Sequence, residues 1–250
     1  MVRTYNENEI AIIHEGGKIL ARIMKELERE VRPGIKTKYL NKVAEDLVFS
    51  FRAQPSFKGF NGYPSVICTS INEEIVHVVP GDRELKEGDI VSLDLGIRYK
   101  GYCTDMAVTV PVGKITKEKE KLIKVTQEAL YKGIEQAKPG NYLGDIGWAI
   151  QQYAESQGFN VVRELVGHGV GKEVHEDPQI PNYGEQGTGL KLVKGMVLAI
   201  EPMFCIGNWQ IEKCEDGFGY RTKDRSLSAH FEHTIAVTQK GPKILTTNSM

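Results

Sequence analysis

Gly88-Asp-Ile-Val-Ser-Leu-Asp94 has a counterpart 107 residues later, Gly195-Met-Val-Leu-Ala-Ile-Glu201. In both stretches a glycine opens an apolar, strand-like run and a carboxylate closes it. The surroundings are related too: Pro33-Gly34 with Leu40 matches Pro139-Gly140 with Ile146, 106 residues further on. Before the first Pro-Gly break, Ile10, Ile13, Leu20, Met24 and Leu27 recur at helical spacing from Asn6 to about Val31. After it, residues 37–52 continue through Leu40, Val43, Leu47 and Phe51. The second break likewise separates two helical patterns, 116–137 and 143–157. Strand-like stretches follow each pair: Ser65–Ser70, Ile90–Leu95 and Thr104–Val110, then 196–201 and 231–238. One duplication is not a solenoid, which needs three or more repeats. The pattern predicts an α+β fold over residues 1–250, a single domain with pseudo-symmetric halves of about 1–112 and 113–250. Its sheets would meet over one central site, with a carboxylate ending the same strand in each half.

Composition narrows the function classes. With 32 Lys+Arg against 33 Asp+Glu, the formal charge is −1, which gives no reason to propose nucleic acid or an anionic membrane as a partner. The 40% hydrophobic and 26% charged fractions are those of a folded globular chain. The strongest apolar run, Gly195 to Ile200, is only six residues, far short of a membrane span. The first residues lack the basic, apolar and small-residue order of a signal peptide. Cys68, Cys103, Cys205 and Cys214 form no C-x-x-C pair, so free thiols in a reducing cytoplasm are expected. The charge runs Lys25–Arg32 and Lys114–Lys124 read as solvated helix faces.

Four constellations could carry chemistry. If Lys100-Gly101 is the centre of a two-residue hairpin, position 94 pairs with 107 and position 96 with 105. Asp94 and Asp105 are then diagonal neighbours on one sheet face, about 7–8 Å apart at Cβ. Two inward carboxylates at that distance need a cation between them; two on an outer face would simply be solvated. His168 and His175 lie in Gly167-His-Gly-Val-Gly-Lys-Glu-Val-His175-Glu-Asp-Pro, whose glycines allow close backbone approach and positive φ. This is neither a phosphate loop nor H-E-x-x-H. Glu201 ends a buried-looking run, and Glu232 sits inside a strand-like one. No G-x-S-x-G elbow offers a serine nucleophile. Asp94, Asp105, His168, Glu201 and Glu232 form an oxygen-rich set with one imidazole, suited to two hard or borderline divalent ions such as Mn, Fe(II) or Co.

At these residues the sequence resembles the type I methionine aminopeptidases, of the duplicated "pita-bread" metallopeptidase fold with its central curved antiparallel sheet. The resemblance runs from about residue 5 to 247. It is carried by Gly88-Asp-Ile-Val-Ser-Leu-Asp94, Gly101-Tyr-x-x-Asp105, Gly167-His-Gly-Val-Gly, His175-Glu-Asp-Pro-Gln-Ile-Pro-Asn-Tyr183, Glu201-Pro-Met and Thr222-Lys-Asp-Arg-Ser-Leu-Ser-Ala-His-Phe-Glu232-His-Thr. It implies that Asp94 binds one ion, that His168 and Glu201 complete the other, and that Asp105 and Glu232 bridge both. His77 would contact the scissile amide, and His175 would steady the tetrahedral intermediate. Glu201 would shuttle a proton. Phe57, Phe60, Tyr63, Cys68, Val174 and Phe218 would form the methionine pocket.

The implied substrates are N-terminal methionine peptides and nascent chains with a small second residue, processed by a cytoplasmic monomer. The activity also implies ribosome association, which no segment of the sequence demonstrates. Four positions depart from the family pattern. Val78 stands where Gly is usual, which implies a differently placed loop. Val174 replaces a commonly aromatic residue and Phe218 a common Trp, which leaves side-chain selectivity open. His230 replaces Gln, on the strand face expected for Glu232. The chain resembles the short form, without the insertion of the type II enzymes. Proline-specific relatives such as prolidase usually carry an extra N-terminal domain, for which no spare 100 residues are evident, and non-catalytic relatives lose ligands that are all present here.

Overall fold

Helices form where the apolar periodicity runs. The computed structural model describes residues 2–247 and contains α1 (Glu7–Glu30), α2 (Thr37–Ser50), α3 (Lys117–Gln136) and α4 (Leu143–Ser156). A capping box starts α1: the Asn6 side chain accepts the Glu9 N–H at 3.0 Å, and the Glu9 carboxylate accepts the Asn6 N–H at 2.9 Å. Thr116 caps α3 in the simpler way, accepting from the Lys119 N–H.

The central sheet has nine strands, and every pairing in it is antiparallel. Its spine begins with the hairpin Ile90–Tyr99 and Tyr102–Pro111, turning at Lys100 (φ 48°) and Gly101 (φ 82°). Positive φ at both central residues matches the twist of a two-residue hairpin. The register is the expected one, Asp94 opposite Ala107 and Gly96 opposite Asp105. Ile67–Ile71 flanks the hairpin on one side, and Glu232–Thr238 continues the sheet on the other. Beyond it come Val197–Ile200, Gly167–Gly169 and Glu176–Ile180. The two halves therefore do not bring separate sheets together over the site. They share one sheet, because Tyr102–Pro111 pairs directly with Glu232–Thr238.

Alternation along the strands sorts the two faces. Val91, Leu93, Leu95 and Ile97 enter the core under α1 and α2, with Leu20, Met24, Leu27 and Leu40. Leu198, Ile200 and Ile235 enter the core under α3 and α4, with Leu122, Leu130, Ile146 and Ile150. The opposite face carries Ser92, Asp94 and Gly96, and it is this face that forms the site. Two three-stranded sheets border it. One joins Asn160–Val161, Met203–Cys205 and Ser228–His230; the other joins Glu74–Val76, Ile211–Lys213 and Tyr220–Thr222.

Candidate active site

Sheet register places the acids in one row. Cys68, Asp94, Ala107 and Glu232 stand directly opposite one another across four strands, so their side chains share a face. Asp105 is two residues from Ala107 and points the same way. His168 pairs with Ala199, two residues before Glu201, which extends the row from the other side. Ligand atoms of Asp94, Asp105 and Glu232 lie within 4.8 Å of one another, as do those of His168, Glu201 and Glu232, and of Asp105, His168 and His175. All five residues expected to hold metal are thus gathered, and His175 approaches the same cluster.

The surroundings prepare each group. Met106 N–H donates to Asp105 Oδ1 at 3.0 Å, and the Thr234 hydroxyl clamps the Asp105 backbone. His168 places Nδ1 2.9 Å from the Gly169 carbonyl, which favours the Nδ1–H tautomer and leaves Nε2 as a lone pair 3.5 Å from Glu201 Oε1. Asn182, fully buried, donates to the Glu201 carbonyl at 2.9 Å. Gly167 and Gly169 are not there for positive φ. A Cβ on Gly167 would stand 2.4 Å from the Ala199 carbonyl and one on Gly169 2.2 Å from the Asp177 carbonyl, so three backbones can close around His168. Of the three glycines in this stretch only Gly171 has positive φ, 154°.

Burial dominates the electrostatics. It pushes Asp94, Glu201 and Glu232 well above the usual carboxylate range, and repulsion among the acids adds to the effect. Asp105 is raised to about 7, again chiefly by burial. Burial lowers His168 to about 3 and His77 to about 4, so both are neutral imidazoles at neutral pH. Asp94 Oδ1 and Glu232 Oε1 are buried without a hydrogen-bond partner among the described residues. A buried carboxylate oxygen in that condition calls for a cation, and the donor set supplies one with oxygen ligands and an imidazole.

An open cavity of about 640 Å³ adjoins the cluster, lined on its apolar side by Phe57, Phe60, Tyr63, Cys68 and Phe218. Val174 is not among its lining residues; it is buried in the same apolar cluster as Phe57, Tyr63 and Cys68. Asn61 lines it unexpectedly; its signal in the sequence was an Asn between glycine-flanked turns, and its φ is 47°. Tyr63 and Phe218 meet edge-on at 5.5 Å, and Phe60 and His175 at 5.1 Å. His77 sits at φ 63°, an uncommon conformation for a non-glycine residue, with its ring edge-on to Tyr220. The space next to Val78 comes from Gly219, where a Cβ would stand 2.6 Å from Val78 Cγ2.

His230 corrects the expectation that it shares a strand face with Glu232. Phe231 separates Ser228–His230 from Glu232–Thr238, and the two strands belong to different sheets. The Thr109 hydroxyl accepts the His230 N–H at 2.9 Å and donates to the His230 carbonyl at 2.8 Å, which bends the chain away there. The imidazole, fully buried, instead lies with Nε2 3.3 Å from Glu201 Oε2, without the alignment of a hydrogen bond.

The pattern of metallopeptidase family M24 matches residues 11–239. The chain belongs to that family. A methionine aminopeptidase of Clostridium perfringens is 49% identical over 98% of this chain and 99% of its own length. The crystal structure of a methionine aminopeptidase from Thermotoga maritima superimposes with a TM-score of 0.97 at 46% identity, covering 99% of this chain and 100% of that one. A prolidase from Pyrococcus horikoshii is more distant, at a TM-score of 0.80 and 26% identity, covering 98% of this chain and 64% of that one. These likenesses bear out the pita-bread fold with its curled antiparallel sheet. Family membership implies divalent-metal binding, for which the described residues offer the acid and imidazole cluster. Among them, no helix is long and apolar enough to cross a membrane. Cys68, Cys103, Cys205 and Cys214 are all free thiols.

Proposed function

We propose that this chain removes the N-terminal methionine from peptides and nascent proteins, with two divalent ions held by Asp94, Asp105, His168, Glu201 and Glu232. The observation that carries the reading is the convergence of these five side chains at the edge of an apolar, aromatic-walled cavity. Relatives at 49% identity bearing the name methionine aminopeptidase support the substrate class. Asp105, Glu232 and His168 each belong to two of the three overlapping donor groups, and of these only the two carboxylates have a second ligand atom, which supports a bridging role for Asp105 and Glu232. Divalent ions bound there would supply a hydroxide nucleophile near neutral pH, polarise the scissile carbonyl and hold the free α-amino group.

The chain's own groups do the rest. Glu201 reaches the cluster from the end of its strand and is the group to accept and return the nucleophile's proton. His175 is exposed at the mouth, 4.2 Å from His168 between ring centroids, where it can donate to the developing oxyanion. His77 lines both the apolar cavity and a second one of about 920 Å³, so it can contact the scissile amide between them. Phe57, Phe60, Tyr63, Cys68 and Phe218 would enclose the methionine side chain, with Val174 in the same apolar cluster. The second cavity offers a path for the remaining peptide. Buried Val76 and Met203 line it together with Glu201, which supports a preference for a small second residue. Substrates would include chains leaving the ribosome, placing the work in the cytoplasm, and one chain carries every group the reaction needs, as in a monomer.

Met-Ala-Ser and Xaa-Pro peptides, offered to protein stripped of metal and reloaded with Mn, Co or Fe(II), test the reading. Hydrolysis of Met-Ala-Ser with little turnover of Xaa-Pro is expected. Preferential cleavage of Xaa-Pro would refute the substrate assignment, and saturation at one ion per chain with full activity would refute the two-ion site.

A further inference from the structure

His175 has no hydrogen bond to its ring among the described residues; it is held by edge-on contacts with Phe60 and His168. Its position therefore depends on the backbone of residues 171–176. That backbone is tied down by a residue remote in sequence, Tyr5, whose phenol is buried beneath it. The Tyr5 hydroxyl accepts the Lys172 N–H at 2.8 Å and donates to the Glu176 carboxylate, lying 2.9 and 2.8 Å from its two oxygens. Glu176 in turn accepts the Glu173 N–H at 2.9 Å, closing the loop on itself. Contact is so close at Gly171 that a Cβ there would stand 2.2 Å from the Tyr5 oxygen. At its other end Tyr5 is anchored, its N–H donating to the Gly195 carbonyl at 2.7 Å, at the start of the run that ends in Glu201. Its ring rests edge-on against Tyr102 at 6.1 Å. Burial raises the phenol's pKa, so it remains a donor throughout the working range.

We propose that Tyr5 is a positioning residue for His175: through Glu176 and the Lys172 N–H it fixes the loop that aims the imidazole at the reacting carbonyl. The inference rests on the reading of His175 as the oxyanion donor. Tyr5→Phe removes the hydroxyl and keeps the ring against Tyr102. With metal-loaded protein and Met-Ala-Ser, kcat should fall roughly tenfold with KM nearly unchanged, as for a misplaced group near the reacting centre. His175→Ala should cost about 10²–10³ in kcat. Adding Tyr5→Phe to it should then cost almost nothing more, since the group being positioned is gone. In metal-free protein, the imidazole nitrogen resonances of His175 should shift or broaden in Tyr5→Phe while those of His233 stay put.

A folded Tyr5→Phe with wild-type kcat, or equal losses with and without His175, would overturn the proposal. If Tyr5→Phe does not fold, the Glu176 pair decides. Glu176→Gln keeps an oxygen acceptor and should retain most activity, whereas Glu176→Ala should reproduce the His175-dependent loss; equal activities for the two overturn it. An unchanged kcat in His175→Ala would instead remove the oxyanion reading and this proposal with it. A costly His175→Ala with an additive Tyr5→Phe removes this proposal alone.

Discussion

Glu232 and Asp105 are the carboxylates that each belong to two donor groups, and each has two oxygens with which to bridge. Truncating either should cost more than truncating a residue that touches a single group. Asp105→Ala and Glu232→Ala are expected to abolish turnover with the fold retained. More than about a tenth of wild-type activity in excess metal, a barrier change of only about 1.4 kcal/mol, would refute the bridging role. His230 is a different case. Its ring faces Glu201 at 3.3 Å, so it can hold that carboxylate rather than Glu232. His230→Ala should weaken metal binding about 10–100-fold and His230→Gln much less, because the amide can still reach the carboxylate. Titration calorimetry giving equal affinities for wild type and His230→Ala would leave His230 a packing residue.

At the scale of elements, the hairpin sets the spacing of the acids. Lys100 and Gly101 both adopt positive φ, which keeps Asp94 opposite Ala107 and Asp105 two residues away. A branched residue at φ 82° is strained, so Gly101→Val should lower stability by about 1 kcal/mol or more, read as a shift in the urea midpoint. This turn and the Pro-Gly helix breaks were legible because their cause is local. The four helices followed from apolar spacing, and the pairing of 94 with 107 from a two-residue turn. Elements without such a cause were not legible. Gly167–Gly169 and Glu176–Ile180 carry no strand-like pattern, yet they pair as strands because the glycines let neighbouring backbones approach. Ser228–His230 is too short for any periodicity, and its separation from Glu232–Thr238 depends on Thr109, more than a hundred residues away in the chain.

Across the whole molecule, the cluster is a store of buried acid that a cation must balance. Asp94, Glu201 and Glu232 have raised pKa values through burial, so in metal-free protein the folded chain keeps protons that the unfolded chain has released. Their contribution to stability is full below the ordinary carboxyl range near 4 and is lost as pH rises through the folded values. The buried histidines run the other way. His168, lowered to about 3, and His233, lowered to about 4, support the fold fully above the ordinary 6.5 and lose that support as pH falls toward their folded values. Protons therefore compete with cations at the carboxyls of the cluster, while His168 stays a neutral ligand above about pH 3. The gain in Tm on adding saturating Mn to chelator-treated protein should be small near about pH 4.5 and grow toward about pH 7.5. A gain independent of pH would mean that the ions bind elsewhere.

The five residues proposed to hold metal, the four helices and the hairpin register could all be read from residue order, since periodicity, turn chemistry and the duplicated strand ends are properties of short segments. Convergence could not. Asp94 and Asp105 come from the first half, His168, Glu201 and Glu232 from the second, and only the ladder between Tyr102–Pro111 and Glu232–Thr238 draws them into one row. Tyr5 is held under the loop of His175 by another long-range contact, its N–H on the Gly195 carbonyl. Pairing across more than a hundred residues is selected by burial of both halves' apolar faces against the shared sheet, a cooperative term that belongs to no local stretch of sequence.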